Sequence, residues 1–109
     1  MEETPPSLDR RDPALSAIAT GLGAFHAGEY EEALRHFAAS LTIQQTPQAL
    51  FYAGRCHERL GHREEAIQSY RDALGLGRFA EKAGGTLPVM QGIREALERL
   101  GVTDDRPRR

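Results

Sequence analysis

The sequence predicts an all-α protein in which antiparallel helix pairs stack as a short α-solenoid. Three observations carry this prediction. The first is internal repetition: Gly21–Phe37 aligns without a gap with Gly54–Tyr70, at an offset of 33 residues. A period of this size marks stacked helix pairs, each unable to bury its apolar face alone. The second is spacing: Ala66, Ile67, Tyr70, Ala73 and Leu74 recur at steps of three and four, and no segment reads as a strand. The third is punctuation: Asp12-Pro13 and Thr46-Pro47 each place a capping side chain before a proline at the first helical position. Gly28 and Gly61 follow the helix ends.

Taken in order, residues 1–11 are a polar arm with Glu2, Glu3, Pro5 and Pro6 and little apolar content, expected to be disordered. The first helix runs from about Pro13 to Ala27, and Gly28 stops it. Glu29 is placed to cap the second helix, which spans about Tyr30 to Ile43. Thr46-Pro47 opens the third helix, which ends near Leu60 before Gly61. The fourth runs from about Arg63 to Leu74; Gly75, Gly77, Gly84 and Gly85 then punctuate a linker whose Arg78–Ala83 has room for one extra helical turn. Thr86 and Pro88 signal a fifth helix, about Leu87 to Leu100, with Val89, Met90, Ile93, Ala96, Leu97 and Leu100 on one side. Its end, Glu98-Arg99-Leu100-Gly101, echoes Glu58-Arg59-Leu60-Gly61. The tail, residues 102–109, is polar and expected to be disordered.

The repeated residues resemble the tetratricopeptide repeat, a 34-residue helix-turn-helix unit. The first copy supplies Gly21, Gly28, Tyr30, Ala33 and Phe37 at the family's signature positions; the second supplies Leu50, Gly54, Gly61, Ala66, Tyr70 and Ala73. Ala17, Ser40 and Arg63 depart from it, and neither copy keeps the terminal proline. The resemblance implies a right-handed solenoid with one repeat over residues 12–45 and a second over 46–79. Residues 80–101 would then form a linker and a capping helix that gives the last repeat a polar outer face.

Composition bounds the function. At 109 residues the chain is one domain, and a net charge of -2 with a pI near 6.1 argues against a basic nucleic-acid binder. Charge is uneven, with three Arg against seven acids in residues 1–46 and eleven Arg or Lys against nine acids in 47–109. A single cysteine, Cys56, excludes an internal disulfide framework. There is no apolar run of membrane-spanning length and no basic-then-apolar leader, so no membrane insertion and a cytoplasmic location are expected.

No constellation points to chemistry, and neither an enzymatic activity nor a cofactor or metal is expected. Gly75-Leu76-Gly77-Arg78-Phe79-Ala80 imitates a dinucleotide fingerprint but lacks the preceding strand. The histidines, His26, His36, His57 and His62, lack metal-ligand spacing, and Cys56 sits where small residues pack. Glu29, Glu31, Glu32, Glu64 and Glu65 begin second helices, where acids complement the helix dipole.

The resemblance instead points to a binding face. In the family the first helix of each pair lines the concave surface, which here selects Ile18, Leu22, Phe25 and His26 from one repeat and Phe51, Arg55, Glu58 and Arg59 from the other. The expected function is a non-catalytic interaction module, an adaptor or assembly factor that binds a peptide or helix of another protein. Apolar anchors would supply affinity, and the arginines would orient acidic groups. The alternative is a homo-oligomer that self-associates through the same face. Ile18 and Leu22 occupy the positions where one subfamily carries the Lys and Asn that grip a chaperone tail's terminal carboxylate, so that clamp is absent.

Overall fold

The computed structural model describes residues 12–82 and 89–102, and among these the regular structure is all helical. The elements are α1 (Pro13–His26), α2 (Tyr30–Ile43), α3 (Pro47–Arg59), α4 (Arg63–Lys82) and α5 (Val89–Arg99). The arm, the Thr86-Pro88 start signal and the tail beyond Val102 lie outside the described residues.

Local chemistry sets the boundaries. Asp12 Oδ1 accepts hydrogen bonds from the Ala14 and Leu15 amides, and Thr46 Oγ1 accepts one from the Ala49 amide, so both cap-and-proline signals act as expected. Glu29 differs: it occupies the cap position of α2 without a side-chain cap bond. Its own amide is committed to the preceding turn, donating to the Ala24 carbonyl at 2.9 Å.

That turn recurs. Gly28, Gly61 and Gly101 all have φ near +80°, and the residue after each donates back across the helix end: Glu29 to Ala24, His62 to His57, Val102 to Leu97. This is the bonding of a Schellman motif, which needs a left-handed residue. A Cβ at Gly61 would meet nothing within 4 Å, so the cost of a side chain there is purely conformational. Gly61→Val is expected to cost roughly 1–3 kcal/mol, because a β-branched residue is strained at positive φ. Gly75→Ala, at an open helical position, should be neutral or stabilising. Thermal melts of the two variants check this; an unchanged midpoint for Gly61→Val contradicts the assignment.

α4 runs on to Lys82 where the sequence predicts an end near Leu74. Gly75 and Gly77 are therefore inside a helix, and the reason is packing. A Cβ on Gly77 would overlap Met90 Sδ, so the glycine lets α5 lie directly on α4. Burial of Met90, Ile93 and Leu97 offsets the roughly 1 kcal/mol helix cost of each glycine. Gly21 and Gly54 serve the same end within the repeats: a Cβ would stand 2.8 Å from Phe37 Cε1 at one and 2.7 Å from Tyr70 Cε1 at the other.

Two clusters form the core. One gathers Ala33, Phe37, Ala53 and Cys56 between the pairs. The other gathers Leu50, Phe51, Ile67, Tyr70 and Leu74 with Met90, Ile93, Ala96 and Leu97 of α5. Tyr52 packs against both. Contacts also fix the curvature. α1 touches α3 and α3 touches α5, whereas α2 and α4 do not meet among the described residues. The first helices are therefore the inner, concave row.

Candidate partner-binding face

Residues three or four apart share a face of a helix, so Ile18, Leu22 and Phe25 lie together on α1, and Phe51, Arg55, Glu58 and Arg59 lie together on α3. Contact between α1 and α3 joins the two sets. Ile18, Leu22 and Phe25 are half-buried against the Phe37 cluster, while His26 and Arg59 are exposed. Phe51 is only 8% exposed, and Gly92 of α5 faces its ring. α5 thus already covers the apolar inner residue of the second pair, whereas that of the first pair keeps open surface. Leu15, one turn before Ile18, extends it.

Aromatic rings support this surface. Phe25 meets Tyr30 and Tyr52 edge-on, with centroids 5.4 and 5.8 Å apart; Tyr52 meets Phe37 and Phe51; and Phe51 meets Tyr70. Of the seven Phe and Tyr residues in the chain only Phe79 lies outside this network, and it is 75% exposed. The rings also hold the cations. Arg55 lies over Phe25 at 5.6 Å and Phe51 at 5.8 Å, and Arg59 lies over Tyr30 at 5.7 Å. Attraction between a guanidinium and a ring face restrains each side chain. Neither arginine forms an ion pair among the described residues.

Glu58 behaves differently from its neighbours. Tyr70 Oη donates to its Oε1 at 2.7 Å, and Arg99 donates from Nη2 to Oε1 at 2.7 Å and from Nε to Oε2 at 3.3 Å. One carboxylate thereby ties α3, α4 and α5 together. Expected as a partner contact, it has both oxygens engaged within the fold. Arg55, Glu58, Arg59 and Arg99 together line a cavity of about 210 Å³.

Burial alone would raise the Glu58 pKa, but hydrogen bonds from Arg99 and Tyr70 and the charges of Arg99 and Arg55 outweigh it and hold it below the usual carboxylate value. Burial, then the Glu58 carboxylate, pushes Tyr70 well up, so its hydroxyl stays a donor. A folded-state pKa that is lowered contributes stability at higher pH, lost as pH falls through the folded value. Below pH 4.5, the ordinary glutamate value, the wild-type melting temperature should therefore fall more steeply than that of Glu58→Gln. Parallel curves would contradict the network.

Cys56 is fully buried, and burial pushes its thiol up to about 11 against the opposing effect of Arg55, so it is an inert packing residue. His57 and His62 are brought together by the turn at Gly61, Nδ1 to Nδ1 at 3.3 Å. Burial, and then the charge of His62, lowers the His57 pKa. Among the described residues no group of three or more His, Cys, Asp or Glu side chains is placed to hold a metal. The fingerprint-like glycines lie inside α4, so no row of free amides exists there for a pyrophosphate.

Sequence reasoning missed Arg99, Tyr70, Tyr30 and Tyr52 as parts of this face. The echo of Glu58-Arg59 in Glu98-Arg99 pointed to α5, but a pairing across 41 residues leaves no local signal.

Residues 47–81, which span α3 and nearly all of α4, match the family model described as Tetratricopeptide repeat. With the five-helix architecture, this match fits a helical-repeat protein of the tetratricopeptide type. Such a repeat implies a protein–protein interaction module. No curated protein and no solved structure matches the chain.

Proposed function

We propose that this tetratricopeptide-type protein is a non-catalytic adaptor or assembly factor that takes a peptide or helix of a partner protein on its concave face. The observation that carries the reading is the incompletely covered Ile18–Leu22–Phe25 side of α1, beside two ring-supported arginines. Apolar surface flanked by restrained polar groups is the composition of a binding site, with anchors for affinity and cations for orientation. Capture from native lysate tests it, with wild-type protein and Phe25→Glu in parallel. Loss of the same partner band in the folded variant supports the reading, and its retention removes the face from consideration.

A second reading has its own observation. Between Pro13 and His26, α1 contains no Asp, Glu, Lys or Arg. Two copies meeting through α1 would face no like-charge repulsion, a condition for a self-complementary two-fold interface. In that case light scattering shows a mass that doubles with concentration, and Phe25→Glu returns it to the monomer value.

A further inference from the structure

We infer that the segment bound on this face is acidic, its carboxylates received by Arg55 and Arg59 in a cavity that Arg99 of α5 completes. This rests on the concave-face reading and specifies the chemistry of its ligand. Four charged side chains line the cavity, three cationic and one anionic. The one anion is spent: Tyr70 and Arg99 occupy both Glu58 oxygens. Arg55 and Arg59 have ring contacts and no ion pair among the described residues, and Glu58, whose pKa the charge of Arg55 helps to lower, has its oxygens taken by Tyr70 and Arg99. A guanidinium is built to bind a carboxylate bidentately, and one already restrained over a ring loses less freedom on doing so.

Arg55 and Arg59 stand one helical turn apart, about 6 Å. Two acids at alternate positions of an extended peptide are spaced about equally, since side chains two apart project from the same side. Phe25 adjoins Arg55, and Leu22 and Ile18 continue its face along α1, so the matching ligand carries an apolar residue next to its acids.

The surroundings select a short acidic peptide over a nucleic acid. Beyond Tyr30, on which Arg59 rests, a second cavity of about 430 Å³ is lined by Glu29, Glu31 and Glu32 against the one cation Arg35, which pairs with Glu32, so its wall is acidic on balance. A phosphate backbone running past Arg59 would meet these carboxylates, and the chain carries a net charge of -2. A peptide whose acids end within the arginine cluster avoids them. Glu58 is a positioning residue here: it fixes Arg99 without touching the ligand.

The test uses the full chain and two fluorescein-labelled peptides, Gly-Phe-Glu-Ala-Glu-Leu-Gly and its counterpart with Gln for both Glu. By fluorescence anisotropy in about 50 mM salt the acidic probe should bind about tenfold more tightly, and the gap should shrink in about 500 mM salt. The double variant Arg55→Gln/Arg59→Gln, checked for helicity by circular dichroism, should lose the gap while still binding the Gln probe. Equal affinity of the two probes, no binding of either, or a gap that survives in the double variant would overturn the proposal. So would displacement of the acidic probe by an oligouridylate more readily than by unlabelled acidic peptide. Ile18→Gln/Leu22→Gln separates this inference from the reading beneath it. That variant should weaken both probes equally; an acid preference with unchanged affinity would place the ligand on the arginines without the apolar face.

Discussion

A chain cut after Gly85 is expected to aggregate or become molten, losing the cooperative unfolding of the full protein. α5 would be gone, and with it Met90, Ile93 and Leu97, each no more than 2% exposed. Full burial of one such side chain is worth about 1.5–3 kcal/mol, so the three together approach the about 5–15 kcal/mol that holds a small domain folded. The cut would also bare the apolar cluster of Leu50, Phe51, Tyr70 and Leu74 and remove Arg99 from Glu58. Losing one partner of a partly buried ion pair leaves the other poorly satisfied, which adds to the loss. Size-exclusion chromatography and a thermal melt give the result. A truncated chain that stays monomeric and melts cooperatively would make α5 a detachable interaction element.

Phe25→Glu should weaken partner binding by one to two decades, because burying one large apolar side chain at an interface contributes about 1.5–3 kcal/mol. The structure adds a condition. Phe25 is half-buried and its ring touches Tyr30 and Tyr52, so the substitution also lowers the melting temperature. Binding must therefore be measured where circular dichroism shows the helices intact. Phe25→Leu supplies the companion measurement: it keeps apolar contact, removes one ring beneath Arg55, and should lose less affinity than Phe25→Glu.

Much of the fold was legible because it is written in short-range chemistry. Asp12 and Thr46 cap the helices they precede, and the glycines that end helices take the left-handed conformation their positions demand. Each of these acts over a few residues, which a linear reading captures. The end of α4 was misread because its cause is not local. Glycine spacing after Leu74 reads as a break; Gly77 instead makes room for Met90, thirteen residues away in sequence. Glu29 takes the cap position without a side-chain bond, because capping is done by short side chains such as those of Asp12 and Thr46, and glutamate is not one of them. The inner-face residues could be picked out by register, but register does not separate a covered Phe51 from a half-covered Phe25, nor an engaged Glu58 from an Arg55 that has no ion pair among the described residues. Those differences are set by where α5 lands.

Site-specific photo-crosslinking shows whether the α1–α3 row is the surface that meets the partner. Benzoylphenylalanine placed at Leu22, on the inner row, is compared with the same group at Gln68, exposed on α4. A crosslinked partner, or a crosslinked second copy, is expected from position 22 and none from position 68. A crosslink from position 68 with none from position 22, in a chain of unchanged helicity, would contradict it.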